Sequence, residues 1–206
     1  MEAEYMMEAY LDNSATTRPS EAVMAAVARA MDEGYFNPSS PYAPALAAQK
    51  EMEACRRLIA GELRGEPEDV YFTAGGTEAN NLAILGFLGG VKKPGRVLYT
   101  AVEHPAVAQS CKAAKDMGHR AQEIPVGPKG TADVRALEAM LGEDVLLLCV
   151  MQANNETGAV QPLETVCALR DKLCPRAAIH VDGVQGFLRM PAALAPLGIQ
   201  SYALSG

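Results

Sequence analysis

From residue 69 onward, short apolar runs alternate with helical patterns, and this alternation constrains the fold more than any other feature. The strand-like runs are "DVYFT" (69–73), "RVLYT" (96–100), "AQEIPV" (121–126), "DVLLLCVM" (144–151), "AAIHV" (177–181) and "IQSYAL" (199–204). Helical patterns over Thr77–Leu88, Pro105–Met117, Asp133–Leu141 and Leu163–Leu173 separate most of them. Strands joined through helices make crossover connections, so the expected architecture is α/β with a mainly parallel sheet. Ahead of it, Pro19-Ser20 predicts the start of a helix carrying Val23, Met24, Val27 and Met31, which Gly34 ends. After the break at "FNPSSP", a longer helix is expected over roughly Ala45 to Leu63.

The segments that come directly after the strands matter as much. "DVYFT" leads into "AGGTEANN", "RVLYT" into "AVEHPAV", "DVLLLCVM" into "QANNETG", "AAIHV" into "DGVQG", and "IQSYAL" into "SG". The unusual polar residues collect at strand carboxyl ends. In an open parallel sheet these ends share one edge, where ligands bind. The pattern favours a small-molecule site over a structural protein.

Each segment has a functional and a plain reading. The Gly-Gly-Thr turn, with Gly76 and Thr77 at a helix start, suits a single phosphate, because glycines permit close approach and the helix start offers free N–H groups. The plain alternative is a glycine turn with Thr77 as N-cap. The turn matches neither GxxxxGK[ST] nor GxGxxG, so a nucleoside triphosphate or dinucleotide is not expected. His104, between Glu103 and Pro105, can stack on a flat ring or shuttle a proton, or simply cap its helix at the solvent edge. Asp182 ends a buried-looking strand and needs a partner. A protonated pyridine nitrogen would serve, and so would a turn or N-cap role. Gln185 lies three residues on and can reach the same ligand, while Asn155 and Glu156 offer further polar reach. His180 alternates with Ile179 and Val181 and is expected to face a packed layer. His119 reads as a surface residue.

Composition narrows the classes. Net charge is −7 and no Lys/Arg cluster occurs, which argues against nucleic acid and anionic membranes as partners. The longest apolar run, Val145 to Met151, is too short to span a bilayer. The acidic start "MEAEYMMEAY" does not resemble an export signal, so a cytoplasmic location is expected. The five cysteines (Cys55, Cys111, Cys149, Cys167 and Cys174) show no CxxC spacing. They read as reduced thiols, several of them buried, and no metal site is expected.

Seven motifs stand in order: "YLDNSATTRP", "FNPSS", "FTAGGTEANNLAI", "EHPAV", "NNETGAVQP", "HVDGVQ" and "LSG". In order and approximate spacing the chain resembles the cysteine desulfurases of the nitrogen-fixation and iron–sulfur-cluster type, from about Tyr10 to Gly206. These are fold type I pyridoxal 5'-phosphate enzymes of the class V aminotransferase family. The resemblance implies a three-layer α/β/α large domain, here residues 19–206 after an N-terminal segment 1–18. It implies that Gly76, Thr77 and Ser205 hold the cofactor phosphate. His104 would stack on the pyridine ring and move protons, and Asp182 would pair with the ring nitrogen. Gln185 would donate to the ring hydroxyl, and Asn155 would lie near that hydroxyl and the substrate carboxylate.

The same resemblance implies L-cysteine as substrate, L-alanine as product, a sulfur-acceptor protein such as an iron–sulfur scaffold, and a homodimer. In that family "SG" is followed by His-Lys, and the lysine carries the cofactor. The nucleophilic cysteine, the arginine for the substrate carboxylate and the small C-terminal domain lie further on. The chain is therefore expected to be an incomplete large domain, inactive alone, with none of its five cysteines as the nucleophile. Two local departures stand out. Tyr42 and Ala45 replace the family's frequent His and Gly, in a region that approaches the partner subunit's site. The segment around "KLCPRAA" is slightly longer. A selenocysteine lyase, another class V aminotransferase, or a non-catalytic cofactor-binding module remain the alternatives.

Overall fold

The computed structural model describes residues 9–192 and 194–206. Two compact units divide the chain, residues 1–52 and 53–206.

In the first unit, helix α1 (Glu21–Glu33) forms where expected. Ser20 caps it, its Oγ accepting from the Val23 N–H at 3.3 Å, and the Gly34 N–H closes it on the Ala30 carbonyl. None of its residues is buried; Val23, Met24, Val27 and Met31 lie exposed. In the next turn the Asn37 Oδ1 accepts from the Ser39 N–H at 3.0 Å, a local bond typical of Asn in turns. Tyr35 stacks on Phe36 at 4.3 Å between ring centroids, and Tyr42 meets the Phe36 ring edge-on at 6.3 Å. Tyr42 thus has a local packing role in this loop. Helix α2 spans Ala43–Leu63.

The second unit corrects one expectation. Residues 69–73 form no strand: Pro67–Asp69 make a 3-10 turn, and residues 70–73 pair with no strand among the described residues. Val70 has extended backbone angles, but Tyr71 and Phe72 are exposed, and Phe72 instead takes the Arg56 guanidinium 4.8 Å above its ring. β-Branched and aromatic residues favour an extended backbone, but a strand also needs a neighbour to pair with.

The sheet has five strands: β1 (Arg96–Thr100), β2 (Arg120–Ile124), β3 (Val145–Cys149), β4 (Ala178–Asp182) and β5 (Ser201–Ala203). Their order is β2-β1-β3-β4-β5, and all four pairings are parallel. The connecting helices are α3 (Gly76–Gly89), α4 (Pro105–Ala113), α5 (Val134–Met140), α6 (Leu163–Leu173) and a short α7 (Leu194–Leu197) that the apolar pattern did not reveal. Helix α4 is shorter than expected, its last turn tightening to 3-10 over Ala114–Met117.

The two-residue period sorts the core. Val97, Tyr99, Leu147, Cys149 and Ala178 pack with Ile84 and Leu88 of α3 and Val107 and Cys111 of α4. Leu98, Leu148, Ile179 and Val181 point the other way, toward Leu137 of α5 and Val166 and Cys167 of α6. Helices therefore cover both faces, as a parallel sheet requires. Every residue of β4 is buried.

At the amino end of the sheet, Arg96 clamps Asp144 in a two-pronged pair, with Nε to Oδ2 at 2.7 Å and Nη2 to Oδ1 at 2.5 Å. His119, expected at the surface, is buried here: the left-handed Gly118 (φ 85°) turns the chain back, and His119 Nδ1 accepts from the Gly95 N–H at 3.3 Å. Among the described residues no helix is long and apolar enough to cross a membrane.

Candidate functional site

Because all pairings are parallel, the carboxyl ends of β1, β3, β4 and β5 share one edge, and the residues singled out from sequence come just after those ends. The start of α3 joins them through packing. A Cβ at Gly76 would lie 2.9 Å from Val184 Cγ2, so glycine lets α3 sit against the loop after β4. Gly75, not Thr77, is the N-cap, and it supplies no side-chain bond. Thr77 lies one step inside the helix with its side chain exposed, and it caps nothing. Glu78 reaches back to the Ala74 N–H at 2.5 Å. The first-turn N–H groups have no intrahelical acceptor and carry the positive end of the helix dipole.

His104 is the N-cap of α4, with Pro105 at the first helical position. Its Nδ1 accepts from the Ala106 N–H at 3.1 Å, which leaves Nε2 and the exposed ring face at the site edge. The capping role and an outward-facing imidazole thus coexist. Glu103 turns inward instead. Its Oε1 accepts from Thr100 Oγ1 at 2.5 Å and from the Met151 N–H at 2.7 Å. Its Oε2 is buried without a partner among the described residues. Burial pushes the carboxyl up to about 7 against those two hydrogen bonds, and the charge of Asp182 adds to the rise.

The loop after β3 repeats this arrangement. Asn154 is buried: its Oδ1 accepts from the N–H groups of Glu156 (3.0 Å) and Thr157 (2.8 Å), and its Nδ2 donates to the Val102 carbonyl at 3.0 Å. Asn155 is half-buried and makes no side-chain hydrogen bond among the described residues. In both Glu103-His104 and Asn154-Asn155, the first residue staples the loops together and the second is left available. The Glu103–Met151 and Asn154–Val102 bonds bring the His104 turn and the Asn155 loop side by side. Sequence reasoning missed both staples. A polar doublet after a strand is the signal, but it does not say which member turns inward.

Asp182 ends β4 and is buried. Its Oδ1 accepts from the Val184 N–H at 3.1 Å and its Oδ2 from Asn80 Nδ2 at 2.9 Å. Asn80 Oδ1 faces His180 Nε2 at 2.8 Å, and His180 Nδ1 faces Ser201 Oγ at 2.9 Å. Burial lowers His180 to about 4, so its ring is neutral. The loop after β4 is fixed from below by Tyr202, whose hydroxyl donates to Gln152, and both Gly183 and Gly186 sit where a Cβ would strike this pair. Gln185 Oε1 accepts from Arg189 Nη1 at 2.7 Å. Ser205, just past β5, is exposed.

This donor set suits a phosphorylated pyridine. A carboxylate offers about four lone-pair positions, and Asp182 receives one N–H at each oxygen, so each can still accept a further donor. A single protonated ring nitrogen fits that capacity. The α3 start suits the phosphate.

Known proteins share both the sequence and the fold. A family model described as aminotransferase class-V matches residues 9–206. "Cysteine desulfurase 2" of Trichormus variabilis is 37% identical over 197 residues, covering 96% of this chain and 49% of that protein. A solved "NIFS-like protein" superposes with a TM-score of 0.89 at 31% identity, over 96% of this chain and 55% of the other. The structure of "SspA in complex with cysteine" gives a TM-score of 0.89 at 25% identity, over 96% and 56%. The chain spans about half the length of the curated relatives it matches.

Proposed function

Because the chain belongs to the class-V aminotransferase family, we propose that it forms the cofactor-binding half of a pyridoxal 5'-phosphate-dependent cysteine desulfurase. The observation that carries this reading is Asp182, a buried carboxylate at the parallel edge, oriented by one N–H on each oxygen. When bound, pyridoxal 5'-phosphate supplies a sink for the electron pair left at an amino acid's α-carbon. Asp182 accepts from the ring nitrogen and keeps its proton in place. Gly76, Thr77 and Ser205 hold the phosphate. His104 covers the ring with its exposed face, and its Nε2 moves a proton at the substrate. Asn155 and Gln185 address the ring hydroxyl, Asn155 also the substrate carboxylate.

The net change is the loss of sulfur from L-cysteine. Its C–S bond breaks, a protein thiolate takes the sulfur as a persulfide, and the carbon takes a proton to give L-alanine. Four of the five cysteines here are buried, and burial pushes the Cys167 thiol up to about 11. That suits core residues and not a mobile sulfur carrier. A sulfur-acceptor protein such as an iron–sulfur scaffold, a homodimeric assembly and a cytoplasmic location complete the proposal. Residues 19–206 would be the first part of the large domain.

The test is formation of L-alanine from L-cysteine by the full-length protein loaded with pyridoxal 5'-phosphate. A polypeptide of residues 1–206 alone is expected to give none. A loaded full-length protein that leaves L-cysteine untouched, or that accepts only selenocysteine, overturns the reading.

A further inference from the structure

Behind Asp182 lies a chain of polar groups from elements far apart in sequence. Ser201 of β5, His180 of β4 and Asn80 of α3 connect in that order and end on Asp182 Oδ2. Asn80 and His180 are each 1% exposed. Such a network has only two self-consistent arrangements, because an amide has one accepting end and one donating end and a neutral imidazole has one nitrogen of each kind. With Asp182 as a carboxylate, Asn80 must turn its NH2 to it and its oxygen to His180. His180 must then carry its proton on Nε2, and Ser201 must donate to Nδ1. With Asp182 protonated on Oδ2, every bond reverses and the His180 proton sits on Nδ1.

We infer that Asn80 is a positioning residue for the cofactor, delivering a donor to Asp182 through a relay that runs Ser201 to His180 to Asn80 to Asp182. This inference rests on the cofactor reading above. The relay ties α3 to the sheet, so the helix whose start addresses the phosphate and the carboxylate that addresses the ring are set by one side chain. It also ties the tautomer of His180 to the charge of Asp182. Burial lowers His180 and keeps its ring neutral, so one of its nitrogens must accept, and the bond to Asn80 Oδ1 leaves that role to Nδ1.

The test combines two measurements on the purified protein. The first is the nitrogen-15 spectrum of labelled histidine, with the His180 signals identified by their loss in His180→Asn. The inference expects a neutral ring with the proton on Nε2; a proton on Nδ1 overturns it. The second is titration with pyridoxal 5'-phosphate, followed by absorbance. Asn80→Leu removes the donor at similar size and is expected to weaken binding by about ten-fold or more, since a hydrogen bond to a charged group is lost. It should also alter the pH dependence of the bound cofactor's absorbance. Asn80→Ser serves if the Leu variant does not fold. Variants that unfold more easily but bind with wild-type affinity and spectrum, once corrected for the folded fraction, reduce the relay to packing and overturn the inference. If the wild-type protein takes up no cofactor at all, the functional reading fails instead, and the tautomer still decides the direction of the relay.

Discussion

Replacing Glu103 by Gln removes a buried titration while keeping the shape of the staple between β1 and β3. The Glu103 carboxyl rises from its ordinary 4.5 to about 7, chiefly because burial penalises its charged form. Between those values the folded chain holds a proton that the unfolded chain has released. Stability from this group is therefore fully present below about 4.5 and is lost as pH rises toward 7. A difference of that size, at about 1.36 kcal/mol per pH unit, amounts to roughly 3 kcal/mol. Gln stays neutral throughout, so Glu103→Gln should gain roughly that much over wild type between pH 4.5 and 7.5. His180 runs the other way. Its value drops from 6.5 to about 4, so its contribution is present above 6.5 and is lost as pH falls toward 4. In wild type the two slopes oppose each other over most of the same range. The variant unmasks the histidine, and its own stability should rise with pH from 4 to 6.5. Urea unfolding followed by circular dichroism in half-unit pH steps measures this. A variant-minus-wild-type difference that stays constant from pH 4.5 to 7.5 refutes the reasoning.

Other consequences are as direct. Gly95→Ala places a Cβ 2.5 Å from Leu146 Cγ and 2.6 Å from the Asp144 carbonyl, which is backbone and cannot swing aside. Thermal unfolding should show a loss of about 1–3 kcal/mol. Asp144→Asn breaks a half-exposed pair with Arg96, so the cost should be only about 1 kcal/mol and should shrink in molar salt. His104→Ala removes both the α4 cap and the ring and should cost about 1 kcal/mol in stability, whereas His104→Asn should restore the cap. If the exposed ring serves the cofactor, both variants lose cysteine turnover alike. An Asn variant that keeps turnover speaks against the ring.

The periodicities alone determined the strands from β1 to β5 and the helices α1 to α6, because burial on one or two faces dictates where apolar residues recur. They also determined that the polar residues after the strands would gather at one edge, since parallel pairing brings the carboxyl ends together. The tertiary structure decided the rest. The run Val70–Thr73 has the composition of a strand but no neighbouring strand pairs with it. His119 looks like a loop residue, but a left-handed glycine turns it under β1. The inward turn of Glu103 and Asn154, the relay through Asn80 and the clash at Gly183 each depend on groups far apart in the chain, 102 residues for Asn80 and Asp182. Local composition carries no information about which buried donor meets which buried acceptor. Once the elements pack, the cost of leaving such a group unpaired selects the partner.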